Sequence, residues 1–159
     1  MEPSQQKIKN QLASMRLIYY SMTAPIIVLS GVLYFLISAG ELGQPDYSMA
    51  LPLQTAAMII VPACLAAGYF VFKSGLGKID SKLPVSEKLQ KYFVLLVIRG
   101  AMFEAGFMFC FVATILTREL LFLTAAPIIF FLFLLLRPNA ESMSSDLGLP
   151  PSERSLLES

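Results

Sequence analysis

Two ionisable side chains, Arg99 and Glu104, stand inside an otherwise apolar stretch, Lys91 to Leu116 (KYFVLLVIRGAMFEAGFMFCFVATIL). A carboxyl group in such a setting stays neutral, finds a partner, or faces water enclosed by protein, because a solitary charge in hydrocarbon is costly. Glu104 is therefore the candidate for a proton or cation carrier, or for a polar contact that fixes helix packing or assembly. Arg99 is the candidate for interfacial anchoring.

The geometry of a helix separates the two. A bilayer core of about 30 Å is crossed by about 20 helical residues. If the core runs from Phe93 to Ile115, Glu104 falls at the midplane and Arg99 lies about 9 Å inside the boundary near Lys88 and Lys91. Helical side chains lean toward their own N-terminus, so Arg99 is expected to snorkel back to the headgroups. Glu104 is too short to do so. The offset of five residues corresponds to about 140° around a helix, so a direct Arg99–Glu104 bond is not expected. Around the wheel, Glu104 shares its face with Gly100, Phe107, Phe111 and Arg118. Arg99 sits nearer Phe103, Gly106, Cys110 and Thr117. The small residues Gly100, Ala101, Ala105 and Gly106 invite a neighbouring helix, so Glu104 is expected in a helix interface and not toward lipid.

This segment requires partners, and the rest of the chain supplies them. Of its 159 residues, 56% are hydrophobic and 14% charged, against the ~45–50% and ~25% of soluble domains, with a mean hydropathy of +0.68. The charges collect in short runs between long apolar stretches, which indicates an all-α, four-helix transmembrane bundle. The spans fall at about 17–38, 51–72, 92–116 and 120–136, giving a membrane domain over 17–137 between an N-terminal tail (1–16) and a C-terminal tail (138–159). The run beginning at Leu17 is too long for the apolar core of a signal peptide and is expected to be retained.

The second span carries Pro52, Pro62 and many small residues, and is expected to be the most buried. Pro62 leaves the Met58 carbonyl without its helical donor, at a depth where a protonated Glu104 could reach it. Pro84 and Ser86 mark the start of the third helix, with Ser86 as its cap. The three residues Thr117 to Glu119 force a hairpin, and the fourth span, broken by Pro127, is expected to present most of its surface to lipid. The tail from Asn139 is acidic, Ser-rich and Pro-broken. It is expected to be flexible, with a short helix capped at Ser152 as the alternative.

Lysine and arginine orient the bundle. Lys7, Lys9 and Arg16 precede span one, and Lys73, Lys78, Lys82, Lys88 and Lys91 border the second connection. The loop at 39–50 has none, and the turn after span three has only Arg118. Both termini are therefore expected on the cytoplasmic side. The basic connection could also attract anionic headgroups.

No phosphate-binding glycine loop, zinc-protease, serine-hydrolase or dinucleotide motif is present. The chain has no histidine, and Cys64 and Cys110 both lie in apolar segments as packing residues. No metal site, cofactor or nucleic-acid surface is expected, and an enzyme is not expected. The expected partners are the lipid bilayer and other membrane-protein subunits or further copies of the chain. The first functional expectation is an accessory or structural membrane subunit. The alternative is a small oligomeric transporter or proton/ion conduit using Glu104.

The run IRGAMFEAGFMFCFVATIL, followed by a turn, an apolar span and RPNAESMSSDLGL, resembles a family of small four-span bacterial membrane proteins of unknown function. In that family an Arg and a Glu five residues apart mark span three, and an Arg-Pro with a short acidic tail closes span four. The matching positions are Arg99, Glu104, Arg137, Pro138, Asp146 and Leu147. The resemblance covers mostly the second half and implies a bacterial inner-membrane protein. The phrase FEAGFMFCFVATIL is also similar to the proton-carrying proteolipids of rotary ATPases, which implies Glu104 as carrier. The chain departs from them in placing Arg99 about one turn before the carboxylate, and in carrying the acid on the third span rather than the last.

Overall fold

The computed structural model describes residues 3–150, leaving aside the side chains at 3–5, 7 and 9. It is all-helical, with α1 at Pro3–Ser38, α2 at Ala50–Leu76, α3 at Val85–Thr117, α4 at Ala125–Leu135 and α5 at Ala140–Asp146. Short 3-10 turns at Tyr47–Met49 and Leu120–Thr124 lead into α2 and α4. Among the described residues, three helices are long and apolar enough to cross a membrane. A fourth span results if the Leu120–Leu135 segment and α5, bent by 76° from each other, are taken together. These features fit a multi-pass membrane protein.

The helix α3 is the centre. It packs against α2, α1 and α4, while α5 closes one end. Its buried residues, among them Leu96, Arg99, Phe103, Phe107, Cys110 and Thr114, trace one broad arc. The segment expected to be most buried, span two, is the least buried of the three long helices, and α3 is the most. The small residues of α2 explain the difference. They let one face of α2 lie close to α3, where a Cβ built on Gly68 would stand 3.0 Å from the Phe103 ring and 3.2 Å from the Arg99 carbonyl. The rest of α2, including Met58 at 80% exposed, faces outward.

The polar segment before span one is not separate from it. The helix α1 runs unbroken for 36 residues, about 54 Å, and its Ile8, Leu12, Met15 and Tyr19 are all buried in the main core. Their 4-3-4 spacing makes one helical stripe. The start of α3 also differs from expectation: Pro84 is its N-cap residue, without a side-chain cap, and Ser86 lies inside the first turn. Proline suits that boundary because it has no N–H to leave unsatisfied.

Part of the expected flexible tail is helical, forming α5 at Ala140–Asp146. Asn139 and Ser142 form a reciprocal capping box at the start of α5. At its end Gly148 adopts φ +58°, and the Leu149 N–H reaches the Ser144 carbonyl at 3.0 Å, which is a Schellman closure. Met143, Leu147 and Leu149 join Ile8, Leu12, Met15 and Leu89 in the core. Ser152 lies outside the described residues. Most of span four is uncovered, as expected: Ala126, Ile129 and Phe133 turn inward while Ile128, Phe131 and Leu135 point outward.

Candidate functional site

Arg99 is only 5% exposed, so protein surrounds it at the end of the bundle where Lys73 and Arg137 also lie. Its Nη2 donates to the Leu136 carbonyl at 2.6 Å, one of the carbonyls that the end of α4 leaves without a helical donor. The guanidinium stacks over the Phe72 ring at 4.2 Å from the centroid. One residue thus ties α3 to both α4 and α2. The Tyr19 and Tyr92 hydroxyls lie within the electrostatic reach of the same guanidinium.

The surroundings of Arg99 are polar and held by all the main elements. The Tyr19 hydroxyl donates to the Phe133 carbonyl at 2.6 Å, joining α1 to α4. Tyr92 donates to one oxygen of Asp146 at 3.3 Å, and Lys73 pairs with the other at 3.4 Å. Asp146 therefore locks α5 to α2 and α3. Two clefts open at this end. One, of about 150 Å³, is lined by Lys73, Tyr92, Arg99, Arg137 and Asp146 among others. The other, of about 260 Å³, is lined by Arg16, Tyr19, Tyr20, Arg137, Pro138 and Asn139.

Glu104 is elsewhere. It lies at the edge of the buried arc of α3 and is half-buried, at the margin of the contact with α1. No hydrogen bond or ion pair holds its carboxyl among the described residues. Its flank is the one next to α1: Gly100, one turn earlier, meets Met22, and Val97 packs beside Met15, Tyr19 and Met22. Beyond it Ala101, Ala105, Met108 and Val112 form an exposed strip. The Met58 carbonyl cannot serve it. Gly68 faces Phe103, and Val61 and Cys64 face Gly106, so antiparallel α2 brings Met58 level with the far end of α3, about 12 Å beyond Glu104.

The remaining candidates divide by position. Gly100 admits α1, since a Cβ there would stand 2.6 Å from Met22 Cε. Gly106 faces α2, with Cys64 Cβ at 3.5 Å from a built Cβ. Pro62 is exposed and lines an apolar groove of about 340 Å³ between α2 and the α3–α4 hairpin. Lys78, Lys82 and Lys91 are exposed, while Lys88 is only 4% exposed. The opposite end is closed by Gln54, whose amide donates to Glu119 at 2.6 Å, and by Arg118 at φ 59°, whose side chain bonds the Ile115 carbonyl.

Sequence reasoning missed Phe72 as the ring beneath Arg99, and Tyr19 and Tyr92 as the hydroxyls that bond Phe133 and Asp146 beside it. The signal available was the placement of two tyrosines within apolar spans, since a buried phenol O–H requires an acceptor. No family model, curated protein or solved structure matches the chain.

Proposed function

We propose that the chain crosses a bacterial inner membrane four times with both ends on the cytoplasmic side, and serves as a non-enzymatic accessory subunit that meets another transmembrane helix at Glu104. The observation that carries this reading is the half-buried carboxyl of Glu104, without a partner among the described residues, in the middle of α3 and beside a strip of small side chains. A neutral carboxyl at that depth has one donor and several acceptor positions to satisfy, and the exposed Ala101 and Ala105 allow another helix to come close enough to do it.

Four crossings are supported by length. The 3-10 turn of 5 residues and α4 of 11 rise together by about 26 Å, near the ~30 Å core. The orientation is supported by the gathering of Lys73, Lys78, Lys82, Lys88 and Lys91 at the same end as the start of α1 and α5.

The test is co-purification in mild detergent of the natural chain, Glu104→Gln and Glu104→Ala from the native membrane. The amide keeps a donor and an acceptor, so Glu104→Gln should retain the partner or the second copy, while Glu104→Ala should lose it with the fold intact. Retention by both variants refutes the contact. Retention by both with loss of proton-coupled activity in Glu104→Gln favours the conduit instead.

A further inference from the structure

The clefts at the Arg99 end carry an imbalance of charge that the described residues do not resolve. Four cations line them, Arg16, Lys73, Arg99 and Arg137, against one carboxylate, Asp146. That carboxylate is already engaged by Lys73 and Tyr92. Among the described residues no carboxylate lies within ion-pair distance of any of the three arginines. Arg99 is the decisive one, because it is buried and, among the described residues, is met by a carbonyl, an aromatic ring and the Tyr19 hydroxyl. Buried charges are ordinarily paired, and a planar guanidinium fork matches the oxygens of phosphate.

We propose that these adjoining clefts bind a phosphate-bearing anion, with Arg137, which lines both, as the central ligand and Arg16 and Arg99 on either side. The space suffices: the clefts hold about 260 and 150 Å³, against the ~30 Å³ of liquid that a water molecule takes up. The surroundings favour a phospholipid headgroup over free phosphate. Leu17 and Leu135, 72% and 79% exposed, offer apolar surface at the same end, and basic pockets between helices at the cytoplasmic face suit anionic lipid heads. This site is independent of Glu104, which lines neither cleft.

The experiment uses the full chain in nonionic detergent, titrated separately with phosphatidylglycerol, phosphatidylcholine and inorganic phosphate. Thermal midpoints are followed by circular dichroism and bound lipid is counted by native mass spectrometry. Phosphatidylglycerol should raise the midpoint and stay bound, and phosphatidylcholine should do neither. Arg137→Gln and Arg16→Gln, both at exposed positions, should each weaken that binding about tenfold, the loss expected for one charge-assisted hydrogen bond. Lys78→Gln and Lys82→Gln, in the exposed connection, should leave it unchanged. A rise with inorganic phosphate alone, sensitive to Arg137→Gln, supports the same site with a soluble ligand. Equal effects of the two lipids, equal losses from the loop lysines and the arginines, or no response to any of the three additives overturns the proposal.

Discussion

Replacing Arg99 by alanine removes the one side chain that bonds α4 and stacks on α2 from the centre of α3. The hydrogen bond to the Leu136 carbonyl, at 2.6 Å, involves a charged donor and is worth about 1.5–3 kcal/mol. The stack over Phe72 at 4.2 Å adds about 0.5–2 kcal/mol. Against this stands the return of the guanidinium's desolvation, which can make removal of a buried charge neutral or favourable. That return offsets only part of the loss, because Arg99, although 5% exposed, lines a cleft of about 150 Å³. The contacts win, and Arg99→Ala should cost about 2–4 kcal/mol. Equilibrium unfolding in mixed micelles measures the cost, and amide exchange locates it. The amides of α4 and α5 should exchange faster, while those of Ala50–Leu65 should not change. A variant within about 0.5 kcal/mol of the natural chain, the scatter of neutral surface changes, with α4 still protected, would refute the assignment of Arg99 as the junction of three helices.

Two further outcomes follow from local geometry. Asn139→Ala removes half of the capping box and should cost about 1 kcal/mol, seen as faster proteolysis between Pro138 and Pro150 with the spans intact. Gly68→Ala places a Cβ 3.0 Å from a ring and 3.2 Å from a backbone carbonyl and should destabilise by about 1–3 kcal/mol. By contrast Gly106→Ala, with its nearest neighbour at 3.5 Å, should change unfolding by less than about 0.5 kcal/mol. Equal costs for the two glycine variants would refute the close approach at Gly68.

The helices were legible because apolar runs of span length leave little choice of structure, and the face assignments on α3 followed from its period. The wheel grouped Arg99 with Phe103, Gly106, Cys110 and Thr117, and all five are buried. Composition misled in two places. Lys7, Lys9 and Arg16 give residues 1–16 the composition of a polar tail, although Ile8, Leu12, Met15 and Tyr19 spell a helical stripe. The Ser-rich stretch after Pro138 has the composition of a flexible tail, although Asn139 with Ser142 and then Gly148 is a start and a stop for one short helix. In both segments local pattern carried more information than average polarity. The outward turn of Glu104 was not legible, because one sequence does not say which flank of α3 lacks a neighbour. Three helices covered the arc from Gly106 round to Gly100 and left the next flank open.

That uneven covering separates two kinds of chemistry on one helix, and their independence can be measured. Arg99 points into the arc at the end where α4, α5 and the lysines gather, and Glu104 stands about 7.5 Å further along the axis at the edge of that arc, on the side of α1. Arg137 follows Leu136, whose carbonyl Arg99 grips, so it lies on the side of Arg99 away from Glu104. Sites without shared partners at such separations are additive to within about 0.5 kcal/mol. The double variant Glu104→Gln/Arg137→Gln should therefore show the sum of the single effects on unfolding, the partner retention of Glu104→Gln alone, and the lipid affinity of Arg137→Gln alone. A coupling energy above about 1 kcal/mol would mean that the carboxyl and the arginine cluster belong to one network. In that case Glu104 would be the missing counter-charge of the cleft, and an external anion would not be needed.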